Sequence, residues 1–164
     1  MEQPAGNKIT GNPSSHPALS VKWMEDFPDI PLNRNEAYKL RVTSKGVEIE
    51  AITETGVYRA IQTLRQLTEK KGNGIAITGC EITDWPAFRI RGFMQDVGRT
   101  YISTDELKRE IAILARYKIN VFHWHLTENQ AWRLQSKVFP MLNDSVNTTR
   151  QPGKYYTLEE AREL

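Results

Sequence analysis

Six side chains, gathered in two short stretches, have the types and spacing to grip a polar ligand. Arg99 follows Gly98 at the end of the run Phe88 to Val97, and Glu128 and Asn129 follow His123, His125 and Leu126 at the end of the run Asn120 to Thr127, with Trp132 just beyond. The guanidinium of Arg99 is a planar fork of donors suited to adjacent hydroxyls or to a carboxylate. A glycine before it lets the backbone turn close to whatever sits there. Glu128 could accept from a hydroxyl or orient a histidine, and Asn129 offers both a donor and an acceptor. On spacing alone, a loop arginine such as Arg99 is more often a surface cation, and Glu128 reads as well as a solvated loop carboxylate.

His123 and His125 stand two residues apart on a strand, so both rings share a face. They could ligate a metal, which would need further carboxylate or histidine ligands, or they could be packed, hydrogen-bonded core residues. The remaining histidine, His16, lies far away in sequence. Trp85, Trp124 and Trp132 could provide a flat apolar floor for the C–H face of a pyranose. Trp124 alternates against the histidines and reads as core, which makes Trp132 the better ligand wall. Neither a Gly-rich phosphate loop, a Ser/His/Asp order nor a Cys/His arrangement is present.

The elements that must position these groups follow from periodicity. Phe88 to Val97 and Asn120 to Thr127 read as strands. Between them Ser103 and Glu106 form a capping box, and Leu107, Ile111, Leu114 and Ala115 supply the apolar stripe of a helix ending near Lys118. A βαβ unit makes its strands parallel, so both polar loops emerge at the same end, where open α/β sheets and barrels bind ligands. Thr157, Glu159 and Glu160 open another helix that meets Leu164 after barely two turns, too short to stand alone; the C-terminus is expected to be a cut.

Upstream, residues 1–17 are rich in Gly, Pro, Ser and Asn and are expected to be a disordered leader or tail. Leu19, Val21 and Trp23 alternate in a first strand over Ala18 to Asp26. Tyr38, Leu40, Val42 and then Val47, Ile49, Ala51 form a hairpin around Ser44-Lys45-Gly46. Val57, Ala60, Ile61, Leu64 and Leu67 make the inner stripe of a helix over 56–71, with Arg59, Gln62, Arg65 and Glu69 on its opposite face and Lys70-Lys71 at its C-terminal dipole. Ile75, Ile77 and Ile82 suggest a further strand. The result is a small α+β domain over 18–84, an antiparallel sheet with a helix, joined at Asp84-Trp85-Pro86 to a second region over 85–164.

Bulk properties narrow the class. The 164 residues carry 22 basic and 20 acidic side chains in alternation, for a net charge of +2, a poor footprint for nucleic acid. At 39% hydrophobic the chain can bury a core, but it is too short for a complete (β/α)8 barrel of about 250 residues. Cys80 is the single cysteine, which excludes an intrachain disulfide and a cysteine-built zinc site. Neither a signal peptide nor a membrane span is visible, and localisation stays open. Asn143-Asp144-Ser145 and Asn147-Thr148-Thr149 match the glycosylation sequon, a pattern common by chance.

Asp84-Trp85-Pro86-Ala87-Phe88, Arg91-Gly92, Asp96-Val97-Gly98-Arg99, Tyr117-Lys118-Ile119-Asn120 and His123-Trp124-His125-Leu126-Thr127 resemble family 20 glycoside hydrolases, the β-N-acetylhexosaminidases. Gly56 to Leu67 and Lys154-Tyr155-Tyr156-Thr157 extend the likeness over residues 18–164. The resemblance implies a small α+β domain followed by the opening βαβ portion of a (β/α)8 TIM barrel, incomplete in this chain. It implies removal of terminal N-acetylglucosamine or N-acetylgalactosamine from glycans, with no cofactor or metal. The position of Arg99 would bind hydroxyls of the terminal sugar, Glu128 would share that substrate site, and His125 would support it. Glu128 and Asn129 stand where the family usually has two aspartates, a departure that lengthens the acidic group by a methylene. The family's mechanism is substrate-assisted: the 2-acetamido oxygen attacks the anomeric carbon, an aspartate orients it, and the adjacent glutamate protonates the leaving oxygen. No residue here matches that Asp-Glu pair, so the chain by itself is expected to be inactive and to need the remainder of the barrel as partner. The competing expectations are a metal-dependent barrel hydrolase built on His123 and His125, and a non-catalytic carbohydrate-binding module.

Overall fold

The computed structural model describes residues 8–9 and 18–164, which divide into two compact units, Met1–Arg89 and Ile90–Leu164. Alternating apolar residues set the sheet of the first unit. Strands β1 (Lys8–Ile9), β2 (Ala18–Trp23), β3 (Tyr38–Thr43) and β4 (Gly46–Ala51) precede helix α1 (Glu54–Leu67), and β5 (Thr68–Lys71), β6 (Gly74–Thr78) and β7 (Cys80–Asp84) come after it. The expected hairpin is β3–β4, with Tyr38 opposite Ala51 and Leu40 opposite Ile49; Gly46 takes the positive φ of 149° just after the two-residue turn. The main sheet runs β2-β4-β3-β7 and is mixed, not the antiparallel sheet expected: β3 pairs antiparallel with β4 and β7, but β2 lies parallel to β4. Tyr38, Leu40, Val42, Ile49, Ala51 and Ala60 are its buried core, closed by Val57, Ile61, Leu64 and Leu67 of α1. Burial of each large side chain there is worth about 2 kcal/mol.

Several expectations need correction. The helix stops at Leu67, where the Thr68 hydroxyl donates to the Leu64 carbonyl and the backbone turns extended. Lys70 and Lys71 therefore lie on β5, paired antiparallel with β6 across a turn in which Gly72 takes φ 59°. Arg59 and Gln62 do not face water. Both are buried, and the Arg59 guanidinium reaches Glu36 at 2.9 Å from Nη2 to Oε2. The isoleucine-rich stretch forms two strands in two different sheets, β6 beside β5 and β7 beside β3. Trp85, a candidate sugar floor, packs with Phe27, Ile30 and Ala37 in a second apolar cluster. Within the stretch expected to be a leader, Lys8 and Ile9 pair with Thr78 and Ile77. The rest of that stretch, His16 included, lies outside the described residues.

The second unit has the expected βαβ order. Strands β8 (Gly92–Asp96) and β9 (Val121–His125) are parallel, joined by α2 (Thr104–Arg116), and the chain continues through β10 (Thr127–Glu128), β11 (Ala131–Trp132) and α3 (Leu158–Glu163). Ser103 and Thr157 cap α2 and α3, each with its reciprocal glutamate, Glu106 and Glu160. The two faces of the β8–β9 pair differ. Phe93, Gln95, Val97, Phe122 and Trp124 alternate onto one face, where Val97, Leu107 and Tyr156 are fully buried and Phe122 and Trp124 pack against them. Met94, Asp96, His123 and His125 share the other, where Met94 and His123 are exposed.

Candidate functional site

The carboxyl ends of β8 and β9 bring the four polar side chains of the site together. Asp96 ends β8, and its carboxylate accepts from the Arg99 backbone N–H at 3.0 Å, turning the chain so that the Arg99 Nε lies 3.3 Å from Asp96 Oδ2. On the neighbouring strand, His125 ends β9 opposite Asp96. The hairpin β10–β11 then carries Glu128 back over the strand end, pairing it with Ala131. Glu128 Oε1 accepts from Arg99 Nη2 at 3.0 Å and lies 3.2 Å from His125 Nε2. Gly98 permits this approach: a Cβ there would stand 2.9 Å from the Glu128 Cβ and 3.0 Å from its backbone nitrogen. The backbone turns close to Glu128, as the glycine before Arg99 suggested.

Arg99 is 59% exposed while Asp96 and Glu128 are 19% and 26% exposed, so two half-buried carboxylates aim a solvent-facing guanidinium. Exposed ion pairs are worth little alone, but here both acids converge on one cation and fix its direction. Asn129 is exposed, and its N–H lies 3.4 Å from Glu128 Oε2. Trp132 leaves β11 on the wall of a cleft of about 730 Å³ whose lining runs from Glu128 and Asn129 to Val138, Phe139 and Met141.

The two histidines share a face, as the strand period requires, with ring centroids 5.4 Å apart and edge to face. His123 is exposed and not packed as a core residue. Nor does it join a donor cluster: among the described residues, the side chains with donor atoms within 4.8 Å of one another are Asp96, His125 and Glu128, and the Arg99 guanidinium already sits on both carboxylates. The geometry does not favour the metal reading on His123 and His125.

Sequence reasoning gave no role to two residues. Asp96 was signalled by the Asp-x-Gly-Arg turn at a strand end. Arg133 is fully buried yet donates only to main-chain carbonyls. Burial lowers its pKa from the ordinary arginine value, against the opposing influence of Tyr156 and Tyr101. Behind it, Tyr156 donates its hydroxyl to the Ile102 carbonyl at 2.6 Å and meets Trp124 edge-on at 4.6 Å. Burial pushes the Tyr156 phenol up to about 12.

This strand-end site, with an arginine fork and a carboxylate at one mouth of a parallel βαβ unit, lies at the end of the strands where α/β enzymes carry their ligand sites. Comparison with known proteins gives the family. Residues 88–164 match the glycosyl hydrolase family 20 catalytic domain, and residues 4–85 match glycosyl hydrolase family 20 domain 2. A beta-hexosaminidase from Porphyromonas gingivalis is 40% identical over 148 residues, 82% of this chain and 19% of that protein. A beta-N-acetylhexosaminidase from Cellulomonas fimi is 36% identical over 151 residues, 90% of this chain and 30% of that protein. Among solved structures, a mutant Streptomyces plicatus beta-hexosaminidase in complex with product superposes with a TM-score of 0.74 at 32% identity, over 91% of this chain and 31% of that one. The exo beta-N-acetylglucosaminidase of Vibrio harveyi in complex with N-acetylglucosamine gives 0.74 at 33% identity, over 88% of this chain and 24% of that one. The chain belongs to glycosyl hydrolase family 20, and it spans 19–30% of the length of the two curated relatives described.

Proposed function

We propose that this chain supplies the α+β domain and the opening βαβ portion of a (β/α)8 barrel to a β-N-acetylhexosaminidase that releases terminal non-reducing N-acetyl-β-D-hexosamine from glycans. The observation that carries the reading is the 3.0 Å contact between Arg99 and Glu128, delivered from consecutive parallel strands to one mouth. Asp96 and Glu128 engage Nε and Nη2 of Arg99, and the role of its exposed guanidinium in this reading is to donate to a pair of sugar hydroxyls. Glu128 accepts from a hydroxyl beside them, His125 steadies its carboxylate, and Trp132 flanks the ring. Substrate-assisted cleavage with retention takes its Asp-Glu pair from outside these residues, so the chain alone is inactive and the rest of the barrel is its partner.

The test is kinetic and uses the full-length protein that contains this segment. Arg99→Ala removes charge-assisted hydrogen bonds worth about 1.5–3 kcal/mol each, so kcat/KM for a chromogenic N-acetyl-β-D-glucosaminide should fall by about 100-fold. Unchanged kinetics would remove Arg99 from the sugar site.

A further inference from the structure

We propose that Arg133 is a positioning residue for the sugar site: its buried guanidinium clamps the Val97-Gly98 backbone against the loop over 150–154 and so sets the direction in which Arg99 leaves the strand end. The inference rests on the reading of Arg99 as a sugar-binding residue.

The geometry is unusual for a cation. Arg133 has no solvent exposure, and its guanidinium directs hydrogen bonds to five neutral main-chain oxygens. Nε donates to the Val97 carbonyl at 3.0 Å, and Nη2 to those of Gly98 at 3.4 Å and Arg150 at 2.8 Å. Nη1 donates to the carbonyls of Gln151 at 3.2 Å and Lys154 at 2.7 Å. Burying a guanidinium without a carboxylate is costly unless its donors are met. Only arginine's planar fork matches five convergent carbonyls, which a lysine could not engage together.

The acceptors identify what the clamp is for. Val97 and Gly98 immediately precede Arg99, and their N–H groups both donate to the His125 carbonyl, at 3.0 and 3.1 Å. The peptide between Gly98 and Arg99 is thus tied on both sides, its oxygen to Arg133 and its N–H to Asp96. On the far side the loop is bent to present its carbonyls, with φ of 50° at Gln151 and 73° at Gly153. Gln151 Oε1 also accepts from the Tyr101 N–H at 2.5 Å. A residue needed only to hold the fold together would not have to address the two peptides on which Arg99 depends.

The full-length protein carrying Arg133→Lys tests this. A positioning role predicts that KM for the N-acetyl-β-D-glucosaminide rises about tenfold while kcat per folded enzyme changes far less. It also predicts that Arg133→Lys adds little once Arg99→Ala is present, because the two act through one contact. A loss of folded enzyme with KM unmoved, or full additivity with Arg99→Ala, would overturn it. Should the lysine variant not fold, Gly153→Val perturbs the clamp from an exposed loop, where an added Cβ meets nothing within 4 Å but the φ of 73° is strained. KM should rise again, and an unmoved KM would be fatal to the proposal. If the wild-type protein cleaves no N-acetylhexosaminide, the functional reading fails separately, and a crystal structure of either variant decides the clamp. The Arg99–Glu128 contact should open beyond about 4 Å; a contact left at its present length refutes positioning.

Discussion

The two units bury an arginine each, and they do so in opposite ways. In the first, Arg59 meets a carboxylate, Glu36, beside a sheet whose helix-facing side is closed over Leu40, Ile49 and Ala51. In the second, Arg133 meets only carbonyls, and the β8–β9 sheet is packed on one face and open on the other. A paired charge needs a partner side chain and little else; a charge held by carbonyls makes the path of the backbone itself the thing stabilised. The first unit thus uses its buried arginine to join α1 to the turn at Arg34–Glu36. The second uses its own on the strand end that carries Arg99. The contrast separates a region organised for stability from one organised to present side chains.

The sharpest way to break that contrast is to empty one position in each sheet of the 164-residue chain. Ile49 is fully buried and Met94 is 57% exposed. Ile49→Ala should cost about 2–5 kcal/mol in denaturant unfolding, since it removes transfer free energy and leaves a cavity. Met94→Ala should stay within about 0.5 kcal/mol. Equal costs would mean that the open face is not open. In the full-length protein, where the proposed barrel would cover that face, Met94→Ala should become markedly more costly, so one substitution at two chain lengths sharpens the comparison.

The packed face of β8–β9 makes a second, alkaline prediction. Tyr156 holds its proton up to about 12, against an ordinary value of 10.0. The unfolded chain releases that proton first, so between about pH 10 and 12 the unfolded state binds fewer protons than the folded one. Stability present below about pH 10 is lost as pH rises through that window, by about 2–3 kcal/mol in all. Tyr156→Phe should abolish this extra slope in stability measured from about pH 9 upward, at the expense of the bond to the Ile102 carbonyl. Parallel curves for the two proteins would show that the phenol is not buried as described.

What the sequence made legible is local. The β3–β4 hairpin, the capping boxes at Ser103 and Thr157, and the parallel order of β8 and β9 arise from periods and caps, and the meeting of Arg99 with Glu128 arises from that order. The features that stayed hidden are set by partners distant in sequence. Arg59 falls on the polar side of a helical wheel, and nothing near it announces Glu36, 23 residues earlier. Lys70 and Lys71 extend a helical stretch on paper, but the Thr68 hydroxyl ends the helix and β6 pairs with both lysines as a strand. Arg133 stands after a short tryptophan-bearing strand like any surface arginine; its acceptors come from residues 97–98 and 150–154, which only the tertiary fold assembles. Asp96 stood in plain view, and its contact with Arg99 was missed because a turn-forming aspartate and an arginine-orienting one look alike until the guanidinium is seen upon it.

The smallest predicted effect concerns α2, whose Leu107 helps close the packed face. Ser103 accepts from the Glu106 N–H at 3.3 Å, and Glu106 Oε2 in return accepts from the Ser103 N–H at 3.1 Å. The hydrogen bond from the Ser103 hydroxyl, and after it that from the Ser103 backbone, lowers the Glu106 pKa. A depressed carboxylate contributes stability above its unfolded value and loses it as pH falls through the folded one, so the cap weakens only in acid. Ser103→Ala should cost about 1 kcal/mol at neutral pH. It should also flatten the acid limb of the stability curve, because Glu106 then loses the hydroxyl that depressed it most and keeps only the backbone N–H. If Ser103→Ala weakened the protein equally at neutral and strongly acid pH, the reciprocal pair would not be acting as a unit. The cost would then belong to the Ser103 side of the cap alone.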